Sequence, residues 1–181
     1  MSGLKEIKVL TTCAMLLALA IILGMFKIPI NSIIEIRFGS IPIAIAGSLF
    51  GPAVGAIVGG AADIVQFVVK PTGPYFPGFT ISSMATGVIF GYILRAKSGK
   101  VSLVRVVIAE LIYSVIVCLG INTLNLYILY GNMASGGAAG YFAFMLTRLP
   151  KEIVMFPINC LIMATIINHV HMIGNKVFIN N

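Results

Sequence analysis

Two polar pairs stand inside long apolar runs, Asp63 with Gln66 and Asn122 with Asn125. Each pair is spaced by three residues, which puts both members on one face of a helix. A carboxylate and three amides offer hydrogen-bond donors and acceptors. An ionisable side chain within an apolar helix is unfavourable and marks a functional site by default. The structural alternative for Asp63 is a carboxylate held for stability by backbone or a neighbouring helix. The two asparagines have two readings, bridging helices or contacting a ligand. Between the pairs lies Lys70–Thr80, KPTGPYFPGFT, with three of the chain's eight prolines, the aromatics Tyr75, Phe76 and Phe79, and Thr72 among its polar groups. Proline removes a backbone donor and restricts the residue before it, so the segment is expected to be neither helix nor central strand. It reads as a rigid aromatic lid over a binding site. The charged set Arg148, Lys151 and Glu152 lies on a later apolar run.

Bond-breaking chemistry finds little support. The chain has no HExxH, no GxSxG and no histidines clustered with acids, which argues against a small intramembrane enzyme. Cys13, Cys118 and Cys160 are scattered in apolar runs without metal-binding spacing, and are expected to be small core residues. His169 and His171 alone read as interfacial polar residues. No metal and no cofactor are expected.

Composition limits what can position these residues. Of 181 residues, 59% are hydrophobic and 9% charged, with a mean hydropathy of +1.07. A soluble domain is about 25% charged, so this chain is an integral membrane protein. Its length suits one helical bundle, a single domain over 1–181, without a catalytic domain of its own. The +7 balance is assigned to loop lysines and arginines that set topology, not to nucleic acid. The N-terminal run continues to Phe26 and is followed by Lys27 and Pro29 instead of a cleavage site, so it is expected to be a retained helix.

Apolar runs place six helices near 8–26, 41–50, 52–69, 79–94, 101–130 and 141–168, an all-α polytopic bundle. The second is half the length needed to span, so it must be extended or shielded by other helices. Glycines recur every four residues from Gly47 through Gly59, with Gly87 and Gly91 beyond, a pattern for close helix contact. Ala14 and Ala18 have the same spacing on the first helix and suit either packing within the bundle or docking of another subunit. Ile33–Phe38 alternates with a period of two and is expected to be extended, with Glu35 and Arg37 on one side. Pro150 is expected to mark a first helical turn and Pro157 a kink. Glu110 lies five residues from Arg105, and its role stays open.

An even number of helices puts both termini on one side. Lys5, Lys8, Arg95, Lys97, Lys100, Arg105 and Lys176 collect there, and Lys27, Arg37, Lys70, Arg148 and Lys151 on the other. The larger set marks the cytoplasmic side. The outer side is still rich in cations and carries every long connection, 27–40, 70–78 and 131–140. That distribution suggests a site for an anionic ligand opening outward.

Taken together, Ala14-x-x-x-Ala18, Phe38-x-x-Ile41-Pro42, Leu49–Pro52 with the glycine row through Gly60, Pro71–Thr80 and Arg148–Glu152 resemble the substrate-binding S components of energy-coupling factor (ECF) vitamin transporters, most closely the folate-specific branch. The resemblance covers nearly the whole chain. It implies a six-helix bundle with the vitamin under the outer loops and no ATP hydrolysis by this chain. It also implies docking, through Ala14 and Ala18, onto a transmembrane coupling subunit that carries two cytoplasmic ATPases. A folate has a flat pterin, an aromatic ring and a carboxylate-bearing tail. Phe67, Tyr75, Phe76 and Phe79 offer ring faces. Asp63, Gln66, Asn122 and Asn125 suit the pterin edge, and Arg37, Lys70, Arg148 and Lys151 suit the tail. Pantothenate or riboflavin as the vitamin, and a stand-alone secondary transporter, are the alternatives.

Overall fold

The computed structural model describes residues 2–26, 28–29, 35–36, 38–71, 74–95, 101–130 and 137–178. The basic turn at 96–100 and the stretch 131–136 lie outside them. Helix α1 is Ser2–Met25. Strands β1, Ile28–Pro29, and β2, Glu35–Ile36, pair antiparallel. Within the stretch 33–38 expected to be extended, Glu35 and Ile36 form a strand. Helices α2, Ser40–Phe50, and α3, Pro52–Val69, follow with only Gly51 between them. Gly51 has φ +100°, a backbone state that requires a residue without Cβ. Pro52 then starts α3 where a missing N–H is harmless.

Helix α2 has eleven residues and covers about half the bilayer core. It is shielded rather than extended, because every residue from Ile41 to Ser48 is buried. Helix α4 is Pro77–Ile93. It starts two residues before the expected 79, within the proline-rich segment that was expected to exclude helix. Pro77 sits at the first turn, where its fixed φ suits a helix and its absent donor would be unpaired anyway.

Glycines set how α2, α3 and α4 pack. A Cβ added at Gly55 would lie 2.6 Å from the Gly87 carbonyl oxygen and 2.7 Å from the Gly47 Cα. One added at Gly91 would lie 2.7 Å from the Pro52 nitrogen. The three helices therefore meet backbone to backbone, the contact that small residues permit where lipid supplies no hydrophobic drive.

The run expected as one helix over 101–130 has three parts: α5, Leu103–Ile112, a π-helical segment, Tyr113–Ile121, and α6, Asn122–Tyr130. π-Helices are rare and concentrate at functional sites. Side-chain hydroxyls support this one. Thr123 donates to the Cys118 carbonyl at 3.1 Å and Tyr141 to that of Leu119 at 3.3 Å.

Helix α7 is Gly137–Phe178, with Pro150 and Pro157 inside it. Pro150 is thus not a first turn. In hydrocarbon the backbone has no water to bond to, so a helix continues through proline while neighbours satisfy the freed carbonyls.

Among the described residues, four helices are long and apolar enough to cross a membrane: Glu6–Met25, Pro52–Val69, Leu103–Leu129 and Gly140–Val170. Leu10, Val68 and Leu161 are among many large apolar side chains left exposed on their surfaces, as expected of helices solvated by lipid. The main core joins α2, α4, α5 and α7 through Ile41, Ile45, Phe90, Leu94, Val106, Met163 and Ile167.

Candidate functional site

A cavity of about 90 Å³ lies where the C-terminal end of α1, the start of α2, the last turns of α3 and the first turns of α4 come together, closed on the far side by the π-helical segment. All of these ends carry the long connections at 27–39 and 70–76. Asp63 and Gln66 from α3, Phe79 from α4 and Asn122 from α6 line it. These four, read separately from the sequence, meet at one place.

Asp63 accepts a hydrogen bond from the Thr80 hydroxyl at 2.7 Å, and Thr80 is joined to the Tyr75 hydroxyl at 2.9 Å. The Tyr75 ring packs on Phe67 with centroids 5.0 Å apart. Phe76 meets Phe79 edge to face at 6.1 Å. Of these four aromatic residues Phe79 lines the cavity, and Phe67, Tyr75 and Phe76 do not. The Gln66 amide donates to the Ala20 carbonyl at 3.1 Å and so ties α3 to α1. Gly24 gives it room, since a Cβ there would collide with the Gln66 amide.

Asn125 takes a different role from Asn122. It is buried, does not line the cavity, and donates to the Ser82 hydroxyl at 3.3 Å, which in turn donates to the Gly78 carbonyl at 3.0 Å. It braces α6 against the start of α4. Residues three apart on an α-helix are offset by roughly 60°, enough for one asparagine to face the cavity and the other a helix.

The cations are arranged apart from the lining. Lys70 is exposed at the C-terminal cap of α3. Arg148 is buried on α7. Lys151 pairs with Glu152 at 3.2 Å, and the Ser114 hydroxyl donates to Glu152 at 3.3 Å, linking α7 to the π-helical segment. Arg37 and Thr72 lie outside the described residues. Glu110 is buried on α5 and faces Asn159 of α7, while Arg105 is exposed. Ala14 and Ala18 are both exposed on α1.

Sequence reasoning missed several lining residues, among them Ser40, Ser82, Ser83, Thr86 and Tyr113. The spacing of Ser82, Ser83 and Thr86 is a usable signal, a polar stripe on one face of an apolar helix. The cavity holds hydrogen-bonding groups of both kinds, one carboxylate and an aromatic face. These groups suit hydrogen bonding to, and stacking on, a flat polar molecule. Among the described residues, no group of three or more His, Cys, Asp or Glu could hold a metal ion.

The family described as "ECF transporter, substrate-specific component" matches residues 8–167. The chain is 38% identical over 159 residues to the folate transporter FolT of Clostridium novyi (strain NT), covering 88% of this chain and 87% of that one. It is 25% identical over 156 residues to FolT of Leuconostoc mesenteroides, covering 86% and 82%. Its fold is similar to the crystal structure of FolT bound with folic acid, with a TM-score of 0.76, 28% identity and coverage of 93% of this chain and 95% of that one. With the match running from the first helix into the last, this chain belongs to the family of substrate-specific components of ECF transporters.

Proposed function

We propose that this chain captures folate at the outer face of the cell membrane and passes it to an ATP-driven ECF complex. The observation that carries the reading is the likeness, over nearly the full length of both chains, to a FolT structure holding folic acid. The cavity supports it from the chemistry. The carboxylate of Asp63 and the carbonyl oxygen of an amide accept the N–H and amino donors of a pterin edge, and Phe79 offers a ring face. On this reading Arg37, Lys70, Arg148 and Lys151 supply cations for the tail carboxylates, and Thr72, Tyr75 and Phe76 cover the bound ring. The chain itself is a binding component and not an enzyme.

The same reading gives a single-domain, multi-pass protein of six helices with both termini in the cytoplasm. Its partners are a transmembrane coupling subunit and two cytoplasmic ATPase subunits, with Ala14 and Ala18 as the docking face. Exposure of both alanines supports docking over internal packing.

Calorimetric titration of the detergent-purified chain tests the ligand, with folic acid against riboflavin and pantothenate. One-to-one binding of folic acid alone is expected; binding of another vitamin in its place would remove folate from the proposal. The docking face has a separate test. Ala14→Leu with Ala18→Leu is expected to leave folate affinity unchanged and to abolish uptake by the assembled complex. Unimpaired uptake would move the docking face elsewhere.

A further inference from the structure

We infer that Thr80 is a positioning residue for ligand recognition: it orients the Asp63 carboxylate toward the cavity and ties that carboxylate to Tyr75 of the preceding loop. The inference rests on the folate reading above and extends it to a residue that does not line the cavity.

The hydrogen bonds have one direction. A hydroxyl has a single hydrogen, and an ionised carboxylate only accepts. Thr80 gives its hydrogen to Asp63 Oδ2, so its oxygen is left to accept from the Tyr75 phenol. The chain of donors runs Tyr75 to Thr80 to Asp63 and ends on a carboxylate that lines the cavity. A bond from a hydroxyl to a carboxylate at 2.7 Å is in the strong, charge-assisted range.

The contacts also close on themselves. Asp63 and Phe67 are four apart on α3 and share a face. Phe67 packs on Tyr75, Tyr75 bonds Thr80, and Thr80 bonds Asp63. One turn of α3 is therefore held at both ends by the loop and first turn that follow it. A carboxylate has about four acceptor positions. Thr80 occupies one and, by fixing the carboxylate's rotation, sets where the others point. A ligand edge with two adjacent N–H donors needs that orientation set in advance; a ligand without the donors does not.

Titration of folic acid and of 2-desaminofolic acid, which lacks the exocyclic amino donor, into the full-length wild type, Thr80→Val, Thr80→Ser and Tyr75→Phe is the test. Valine keeps the shape and removes the hydroxyl. Thr80→Val is expected to weaken folic acid about tenfold and to shrink its preference over the desamino analogue. Thr80→Ser is expected to restore both. Tyr75→Phe is expected to give a smaller loss in the same direction. A merely structural threonine would weaken both ligands alike and leave the preference intact, which would overturn the inference. So would wild-type affinity and preference in Thr80→Val. Failure of the wild type to bind folic acid at all would remove the folate reading and this inference with it.

Discussion

Helices α2, α3 and α4 touch through their backbones, whereas α5, α6 and α7 touch through side chains. In the first group a Cβ at Gly47, Gly55, Gly59, Gly87 or Gly91 would fall within 3 Å of a neighbouring helix's backbone. In the second, Val106, Met163 and Ile167 belong to one buried cluster, and polar bridges such as Ser114 to Glu152 add to it. Backbone contact leaves almost no room for rearrangement, because main-chain atoms have no rotamers to change. Side-chain contact does, and methionine is the most adaptable of the apolar residues. The second group also contains the π-helical segment and two prolines inside α7. The cavity lies on the seam, with Asp63, Gln66 and Phe79 on the rigid side and Tyr113, Val117 and Asn122 on the other. The molecule thus holds the Asp63 carboxylate on a fixed wall and faces it with an adaptable one.

The largest effect expected from this contrast is at the glycine contact. Gly87→Ala places a methyl on the Gly55 carbonyl and 2.7 Å from the Ala56 nitrogen. Helix must separate from helix to admit it. Overpacking a core costs about 1–3 kcal/mol, and backbone in place of a movable side chain puts this substitution at the upper end, roughly 3 kcal/mol. A fall in thermal stability of the purified protein, with poor accumulation in membranes, is the expected outcome. Unchanged melting would show that α3 and α4 are not locked together.

Next in size is Asp63→Asn on the rigid wall. The amide keeps the size and replaces a charged acceptor with a neutral one. Hydrogen bonds to charged groups contribute about 1.5–3 kcal/mol, so folic acid affinity is expected to fall roughly ten- to a hundredfold, read by calorimetry, with stability little altered. Wild-type affinity would remove Asp63 from the site.

The rigid wall was the more legible part of the chain. Gly51 and Pro52 announce the α2–α3 turn, the four-residue glycine spacing announces the close contact, and Asp63 is conspicuous in an apolar run. The adaptable wall was not. No residue type encodes a π-helix; it depends on hydroxyls from Thr123 and Tyr141 reaching its carbonyls, and Tyr141 belongs to another helix. Asn122 and Asn125 look alike in sequence and separate only once Ser82 is seen to claim Asn125. Ser82 and Thr86 were passed over because each bonds a carbonyl of its own helix, four residues back, and so behaves locally as a neutral helix residue. Pro77 and Pro150 misled in opposite ways. One is tolerated because it begins a helix, the other because lipid leaves the backbone no better partner than the helix itself.

The smallest effect separates the two walls most sharply. Gly120→Ala makes in the π-helical segment the same chemical change as Gly87→Ala makes in α4. Here the nearest atom to an added Cβ is the Val115 carbonyl oxygen at 3.4 Å, ordinary van der Waals contact. Nothing must move. Alanine also restricts the chain more than glycine does, which favours a helical state by about 0.5–1 kcal/mol where the site tolerates it. Gly120→Ala is therefore expected to leave the melting temperature unchanged or slightly raised, opposite in sign to Gly87→Ala. Measured side by side in the same detergent, the two differ in neither residue type nor volume added, so the difference reports the packing alone. A loss at Gly120 comparable to that at Gly87 would mean that the π-helical wall is as tightly confined as the glycine wall, and that the cavity is rigid on both sides.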